Sequence, residues 1–576
     1  MGDNENRKVY KARQVKNYRE MVEYSCKNYA QNIAYKYKKD YTAKNVEYIE
    51  KTYEQVGKDI KAFGTGLLNL DLMGERIVVV GKNRYEWCIS YLATTCSNMV
   101  IVPIDKALPD IEMQRLIERS EAKAIIFDEK YLETIKKVQE KENSNLKTLI
   151  CMDNIQEKGI KTFNEVLEEG RKQILAGDQK YDSIEIDENK MSIMLFTSGT
   201  TNEPKAVMLS QANICANISN IACWVKLYPT DVLLSFLPIH HTFECTITFL
   251  YGFYSGSQVA FCDGLKHIQQ NLKEYKVSVF VAVPLVLETM YKKIQKAIEE
   301  QGKTGLIKKM TKISNTLLKA KIDIRKIVFK QILDNFGGHL RVVLYGAAPM
   351  NKATIIGYNN LGISLVQGYG LTETSPVVTA ETDKEKRPGS IGLALANLNL
   401  KIENPDNEGV GEITVKGPSV MLGYYKNPEE TKKVLKDGWF STGDYGYKDK
   451  DGFVYITGRK KDIIVLKNGK NVYPQEIEFL INKIPYVAES LVYSRDKDTT
   501  DTMLCAKIVY DKDTIKQMIG EKTEEEYKEI IWQEIKKINQ ELPIFKKIKN
   551  ITITTEPLKK TTTQKVKRYE ELKNLT

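Results

Sequence analysis

Residues 195–207, with the sequence LFTSGTTNEPKAV, combine side chains that suit anion binding. An apolar run ends at Phe196, hydroxyl residues and a glycine follow it, and Lys205 comes soon after. Backbone N–H groups, hydroxyl donors and an ammonium can together surround a phosphate. The stretch lacks the Gly-Lys pair of a P-loop, so it predicts a phosphate cradle of another kind. For the stretch taken alone, the alternative is a polar turn after a buried strand.

Five further motifs follow this stretch along the chain. They are YGAAP at 345–349, QGYGLTET at 367–374, STGDYG at 441–446, GRKKD at 458–462 and KKTTTQKVKR at 559–568. Taken singly, each has a local explanation: the end of a strand, an ordinary turn or a solvated basic segment. Their number and order carry the argument.

Together with the cradle, these motifs resemble those of the adenylate-forming superfamily, which includes acyl-CoA synthetases, nonribosomal-peptide adenylation domains and luciferases. The resemblance covers nearly the whole chain. It implies an enzyme that joins a carboxylate to the α-phosphate of ATP and releases pyrophosphate, because oxide is a poor leaving group. Such a reaction needs positive charge and Mg²⁺ at the phosphates.

The resemblance also implies roles for individual residues. The β- and γ-phosphates are expected to be bound by Thr197, Ser198, Gly199, Thr200, Thr201 and Lys205. The adenine site is expected to be formed by Gly346, Ala347, Ala348, Pro349, Gln367, Gly368, Tyr369 and Gly370. The Tyr369 ring is the expected platform for the base. Thr372 is expected to donate to the α-phosphate, and Glu373 to bind Mg²⁺, which prefers oxygen ligands. Asp444 is expected to accept the ribose hydroxyls, with Arg459 near the ribose and phosphates.

Lys565 is the predicted catalytic residue of adenylate formation, because its ammonium would bridge the substrate carboxylate and the α-phosphate. Lys560 is the weaker alternative. The family pattern here is roughly PKTxSGK, so Gln564 replaces the usual glycine. Asn202 likewise replaces a common glycine in the cradle, although asparagine tolerates the left-handed region.

Two residues of the basic segment are assigned to the second half-reaction by the resemblance. Lys461 lies at the family's hinge, about which a small domain rotates between adenylate and thioester formation. The rotation would bring Gly469 and its neighbours toward the thiol donor, CoA. Asn471 stands where some acetyl-type members have arginine.

The elements that position these motifs alternate along the chain. The runs RIVVVG, MVIVPI and KAIIFD predict buried strands with helices between them, which indicates a parallel sheet covered by helices. A chain of 576 residues is expected to form two or more domains. We predict an α/β, adenylate-forming fold with a large multi-sheet body at 1–458 and a small mobile α/β domain at 459–576.

The composition bears on the expected binding partners and on the cellular compartment. Nine cysteines without a CxxC pair favour a reduced, cytoplasmic protein without a zinc site. The net charge of +11 fits polyanionic partners or simply solvated lysines. No nucleic-acid recognition module is evident, so nucleic acid is not expected as a partner. The oligomeric state stays open.

Two features bear on the acid that is activated. His240 and His241 lie in the stretch LPIHHTFE. His241 is predicted to lie beside the acyl pocket, whereas His240 fits a core or a surface position equally. Neither histidine is predicted as a metal ligand. The lysine-rich segment 291–337 resembles the expanded region of long-chain acyl-CoA synthetases. It predicts either a basic surface for the inner face of a membrane or for CoA phosphates, or solvated helices.

The sequence thus predicts an ATP-dependent ligase that activates a long- or medium-chain fatty acid and transfers it to CoA, releasing AMP, with fatty acid, ATP and CoA as partners. One alternative is a ligase of the same fold that loads a carrier protein in trans or uses an aryl acid. Another is a non-catalytic adenylate- or lipid-binding paralogue. Lys205 and Lys565 argue against the last, because a binding protein has no need for both.

Overall fold

The computed structural model describes residues 4, 7–43, 45–197, 204–466, 470–496, 502–560, 566–573 and 575. Contacts divide the chain into two compact units, one comprising Met1–Leu400 and Val415–Phe440, the other Lys401–Thr414 and Ser441–Thr576. The predicted boundary between residues 458 and 459 concerns a moving domain. The contacts that define the two units do not test whether residues 459–576 move, so the predicted boundary stays a prediction.

The first unit contains a nine-stranded sheet. Its strands, in order across the sheet, are Leu393–Ala394, Val377–Ala380, Ser364–Gly370, Val342–Tyr345, Val279–Ala282, Val232–Ser235, Gln258–Phe261, Ile33–Lys38 and Tyr48–Thr52. The six central strands run parallel, and antiparallel strands close both edges. Short valine-rich strands buried on both faces are typical of parallel sheets under helices.

The first unit also contains an eight-stranded sheet. Its order is Gly423–Tyr424, Lys205–Ser210, Met191–Thr197, Val100–Pro103, Arg76–Val80, Ala124–Phe127, Thr148–Cys151 and Lys161–Thr162. Arg76–Val80 pairs in parallel with the two following strands, which confirms the predicted alternation of strands and helices. Two antiparallel strands at one edge lead to the cradle sequence.

The helices of the first unit begin and end at local signals. Thr52 and Gln55 form a capping box before one helix, and Pro284 occupies the first turn of another. The predicted helical segment 291–337 consists of several helices. The helices of the unit are Tyr18–Asn28, Tyr53–Leu68, Tyr85–Cys96, Asp110–Ser120, Leu132–Gln139, Phe163–Leu175, Lys180–Ser183, Gln211–Trp224, the π-helix Glu244–Tyr251, Gly252–Tyr254, Ile268–Glu274, Pro284–Glu300, Thr304–Lys319, Arg325–Val328, Lys330–Leu333, Lys352–Asn360 and Pro428–Val434.

A five-stranded sheet orders Asn399–Glu403, Gly411–Lys416, Trp439–Lys448 and Leu435–Lys436, with Val454–Arg459 also paired to Trp439–Lys448. The second unit adds a two-stranded sheet, Ile464–Val465 with Asn471–Val472, and a three-stranded sheet, Val487–Asp496, Thr502–Tyr510 and Asn550–Thr554. Its helices are Pro474–Ile481, Lys512–Ile519, Glu524–Glu541 and Arg568–Leu572. Apolar faces of these elements bury one core around Ile477, Val492 and Ile531.

Two further findings concern the chain as a whole. No disulfide joins the nine cysteines, all of which are among the described residues. Among those same residues, no helix is both long and apolar enough to cross a bilayer.

Candidate functional site

The two ends of the predicted phosphate cradle lie side by side. Thr197 ends one strand and Lys205 begins the next, and these two residues are antiparallel partners. The Thr197 hydroxyl donates to the Lys205 carbonyl oxygen at 3.4 Å. The intervening cradle residues lie outside the described residues; they are Ser198, Gly199, Thr200, Thr201 and Asn202. The hairpin therefore fixes where the cradle begins and where its lysine stands.

The Lys205 ammonium has an acidic partner that the motifs did not predict. Its Nζ donates to Glu430 Oε2 at 2.5 Å, and it lies 5.0 Å from the centre of the Tyr424 ring. The hydrogen bonds from Lys205 and Lys433 lower the pKa of Glu430 to about 2. Lys205 therefore stands as a neutralised cation, available to any anion that can compete with Glu430.

The predicted magnesium ligand belongs to the same network. Tyr424 donates from its hydroxyl to Glu373 Oε1 at 3.0 Å. Glu373 lies in the turn Thr372–Thr374, and its backbone carbonyl accepts from the Met421 N–H at 2.8 Å. Tyr424 thus joins the predicted phosphate lysine to the predicted metal carboxylate.

The two predicted adenine motifs begin on neighbouring parallel strands. Tyr345 and Gln367 are register partners, and the Tyr345 hydroxyl donates to Gln367 Oε1 at 2.9 Å. YGAAP and QGYG therefore begin side by side at the carboxyl ends of their strands, and QGYG forms the last four residues of strand Ser364–Gly370. This is where ligands bind in open α/β sheets.

Close backbone approach explains two of the three glycines of these motifs. A Cβ on Gly370 would lie 1.8 Å from the Pro376 carbonyl oxygen, and one on Gly346 would lie 2.6 Å from the Gly368 carbonyl oxygen. Neither position has room for a side chain. Tyr369, the predicted platform for the base, is half-buried.

The first adenine motif leaves its small residues on the surface. Ala347, Ala348 and Pro349 are exposed, and Ala347 adopts a φ of +71°. This conformation is uncommon for a residue with a Cβ, and such strain occurs often at ligand sites.

Glu381 supports the second motif and was not predicted. The backbone N–H groups of Gln367 and Arg387 donate to its carboxylate at 3.0 and 2.8 Å. Burial raises the pKa of Glu381. A carboxylate fixed in this way holds the end of the Gln367 strand in place. No sequence signal distinguished it from a surface acid.

Within the second unit, the structure brings Asp444 and Arg459 together. They are partners on two antiparallel strands, and Arg459 Nε donates to Asp444 Oδ1 at 2.8 Å. Asp444 is buried, whereas the Arg459 side chain is 37% exposed. The Arg459 guanidinium also reaches the Thr442 carbonyl oxygen at 3.3 Å. The predicted ribose acid is thus held by its predicted partner.

The remaining predicted residues of the second unit are only partly described. Lys461 is exposed in the turn Lys460–Asp462, whereas Gly469 and Lys565 lie outside the described residues, as does Gln564. Lys560 pairs with Val566 across residues 561–565. The Lys560 ammonium is bound to the Glu489 carboxylate. Lys560, the weaker alternative to Lys565, therefore has an acidic partner.

The predicted substrate residue His241 lies in a small polar cluster of the first unit. Its ring centre is 4.1 Å from that of His240, and His240 Nε2 is 3.6 Å from Asp105 Oδ2. Burial lowers the pKa of His240 well below its usual value, and the neighbouring His241 and Lys106 act in the same direction. The sequence left His240 open between core and surface; the structure buries it.

A cavity of about 10 Å³ lies beside His240, lined mainly by apolar side chains. This volume suits about one water molecule and is far below the roughly 300 Å³ at which ligand pockets begin. The cavity is therefore too small to hold an alkyl chain.

Two family models match the chain. Residues 22–425 match the AMP-binding enzyme family, and residues 461–575 match the AMP-binding enzyme C-terminal domain. The chain belongs to the AMP-binding enzyme family. This confirms the resemblance to adenylate-forming enzymes, and membership supports an enzyme that binds ATP or AMP.

Individual relatives place this AMP-binding enzyme in the long-chain acyl-CoA synthetase branch. It is 30% identical over 498 residues to long-chain-fatty-acid–CoA ligase 6 of Mus musculus, covering 81% of this chain and 70% of that protein. It is 28% identical over 564 residues to a long-chain-fatty-acid–[acyl-carrier-protein] ligase of Arabidopsis thaliana, covering 85% and 76%. ATP-bound MatB of Rhodopseudomonas palustris has a TM-score of 0.74 at 23% identity, covering 97% of this chain and 99% of that one. The predicted fold class is confirmed.

The sequence reasoning missed Glu430 and Tyr424 for a physical reason. Glu430 follows Asn427 and Pro428 and lies in the first turn of a helix, where acids are common because they cap the helix dipole. That local role explained the acid completely. Tyr424 had no signal beyond an aromatic residue in a short edge strand.

Proposed function

We propose that this AMP-binding enzyme activates a long- or medium-chain fatty acid with ATP and transfers the acyl group to CoA. The acid would first displace pyrophosphate from the α-phosphate of ATP, and the thiol of CoA would then displace AMP. The observation that carries the proposal is the network that joins Lys205, Tyr424 and Glu373. The name of the mouse relative supports the choice of acid and thiol.

The first unit supplies groups for the phosphates. Lys205, with the hydroxyl residues of 197–201, would neutralise charge on the β- and γ-phosphates, and Thr372 would donate to the α-phosphate. Glu373 fits a bound Mg²⁺: Tyr424 occupies one of its oxygens, and no hydrogen bond from the described residues reaches the other. The ion, when bound, would offset charge that develops on the phosphates.

The second unit supplies the ribose contacts and the catalytic lysine. We assign the ribose hydroxyls to Asp444, held by Arg459, and adenylate formation to Lys565. Lys560, the alternative, is paired with Glu489, as Lys205 is with Glu430. The hinge at Lys461 and the contribution of Gly469 to CoA binding belong to the same proposal for the second half-reaction.

Pyrophosphate exchange into ATP tests the first half-reaction across acids from acetate to stearate, with benzoate and amino acids included. The proposal expects exchange to peak on long alkyl acids and a thioester to form when CoA is added. Exchange that peaks on benzoate or an amino acid would contradict the choice of acid. Exchange with none of these acids would favour the non-catalytic paralogue.

Substitution of the catalytic lysine tests the assignment within the site. Lys565→Ala is expected to abolish exchange yet leave thioester formation from supplied acyl-adenylate largely intact. Lys560→Ala is the matched control and is expected to retain exchange. The reverse pattern would transfer the catalytic role to Lys560.

A carrier protein in trans is the second candidate acceptor, favoured by the name of the Arabidopsis relative. The first half-reaction is the same for both acceptors, so exchange does not distinguish them. Product analysis does: acyl-adenylate that forms normally but yields no thioester with CoA, and does acylate a carrier protein, would favour this acceptor.

We also propose that helix Thr304–Lys319 contacts anionic lipid. Leu306 and Ile313 are 54% and 42% exposed, and Lys308, Lys309 and Lys312 are exposed on the same helix. Exposed apolar and basic side chains together suit a membrane surface. Sedimentation with phosphatidylglycerol vesicles, but not with phosphatidylcholine vesicles, is the expected result, and Lys308→Glu with Lys312→Glu should abolish it. Equal sedimentation with both lipids would contradict the proposal.

A further inference from the structure

Three potential metal ligands meet where loops from two sheets come together. Asp105 follows strand Val100–Pro103 of the eight-stranded sheet, and His240 and His241 follow strand Val232–Ser235 of the nine-stranded sheet. One ligand atom from each lies within 4.8 Å of the other two. The grouping is a product of the fold, because nothing in the sequence connects Asp105 to the histidines.

His240 gives an independent indication of a missing ligand. Its Nε2 is buried and has no hydrogen-bond partner among the described residues. The 3.6 Å separation from Asp105 Oδ2 is too long for a hydrogen bond. Other buried polar atoms of the described residues share this condition, but His240 Nε2 differs in lying beside a carboxylate and a second imidazole, with which an ion could be shared.

We propose that Asp105, His240 and His241 bind one divalent transition-metal ion, with Zn²⁺ the best match. Two imidazoles and a carboxylate are a common three-residue set for zinc, and the fourth position is left to water or another ligand. Magnesium and calcium prefer all-oxygen sites and would not be selected by this set. Ligands at about 2.1 Å from one ion require the three groups to close by roughly 1 Å.

The positive charge of Lys106 should weaken cation binding at this site, which gives a second test of the proposal. The Lys106 ammonium acts electrostatically on His240. A positive charge next to a cation site weakens binding, so removal of this charge should strengthen it. A variant that merely disturbed the fold would not bind metal more tightly.

The metal proposal can be tested separately from fatty-acid activation, although the two proposals share His241. An ion held by His241 would take that side chain away from an acyl substrate. Metal binding can be measured without acid, ATP or CoA, so failure of one proposal is distinguishable from failure of the other.

Calorimetric titration of the untagged, chelator-treated full-length protein with zinc chloride tests the site. We expect one ion per chain, and His240→Ala should weaken binding by more than about 100-fold, because even indirect support of a metal ligand contributes 10- to 100-fold. Asp105→Asn keeps the shape of the side chain and should also weaken binding. His339→Ala, an exposed histidine elsewhere, should bind as the wild type does.

Two further variants complete the test. Lys106→Met should bind zinc several-fold more tightly than the wild type. Cys262→Ser controls for binding to a partly exposed thiol and should leave the titration unchanged. The proposal is overturned if the wild type binds no zinc, if His240→Ala and Asp105→Asn bind it normally, or if Cys262→Ser alone removes binding.

Discussion

Two carboxylates of the first unit, Glu430 and Glu244, lie in opposite electrostatic surroundings. Glu430 accepts from Lys205 and Lys433, and these hydrogen bonds lower its pKa to about 2. Glu244 is fully buried and accepts from two hydroxyl groups, at 2.7 and 2.9 Å, and from a backbone N–H. Burial outweighs these donors and raises its pKa to about 8.

The difference separates a region built for charge from a region that excludes it. At Lys205 the chain keeps a cation and neutralises it with a half-exposed acid that an anionic ligand can replace. Around Glu244, burial favours the neutral form of the carboxyl group. A phosphate suits the first region, whereas the second region favours neutral groups.

Removal of the cation should have the largest effect. Lys205→Met keeps a side chain of similar length at this position but removes the charge that would stabilise the phosphates. Pyrophosphate exchange is expected to fall by about 10²- to 10³-fold, the usual loss for one preorganised electrostatic group. Lys433→Met also removes a partner of Glu430, from an exposed position, and should retain exchange. Equal activity of the two variants would contradict a phosphate role for Lys205.

The free energy of unfolding should depend on pH through Glu244, the carboxyl group of the second region. Its folded pKa lies above the unfolded value, so the folded state binds the extra proton between about pH 4.5 and 8. Its contribution to the free energy of unfolding is therefore full at low pH and is lost at about 1.4 kcal/mol per pH unit as the pH rises through this window. Glu244→Gln stays neutral in both states and should lack this loss.

Denaturant unfolding of the wild type and Glu244→Gln from pH 5 to 8 measures the difference. The variant should gain stability relative to the wild type as the pH rises. A constant difference across this range would mean that Glu244 is ionised in the folded protein. Such a result would remove the contrast with Glu430.

The sequence predicted elements better than their arrangement. The run RIVVV became the buried strand Arg76–Val80, because its signal acts within one element. Strand order is different: Arg76–Val80 lies between the two strands that follow it. Such pairing depends on contacts between distant segments, and no local pattern records them.

The same limit applied to the candidate site. Lys205 and Glu373 were predicted from motifs that each lie within a few residues. Their partners Glu430 and Tyr424 come from a later strand and helix, and the helix start explained Glu430 without reference to any lysine. Asp105 was missed for the same reason, since only the packing of two sheets brings it to His240.

Tyr424 tests whether the charged region works as one network. Tyr424→Phe removes the hydrogen bond to Glu373 and keeps the ring beneath Lys205. A hydrogen bond to a charged group contributes about 1.5 kcal/mol or more, so the Mg²⁺ concentration for half-maximal exchange should rise about tenfold. The neighbouring Tyr425→Phe loses a bond of equal length to Glu121 instead and should not change the magnesium dependence. An equal shift in both variants would mean that the effect is one of stability.

The smallest effect is expected at Glu430, and its sign is what matters. If ATP must displace Glu430 from Lys205, then Glu430→Gln should bind ATP more tightly, because the phosphates no longer compete with a carboxylate. The pair is partly exposed, so the gain should correspond to about 0.3–1 kcal/mol, or roughly two- to fivefold in the dissociation constant. Calorimetry with ATP alone measures it, and the adjacent, exposed Glu429→Gln is the control. Weaker ATP binding by Glu430→Gln would mean that the acid orients Lys205 toward the phosphates, and Glu430 would then belong to the ligand-bound state as well as to the free one.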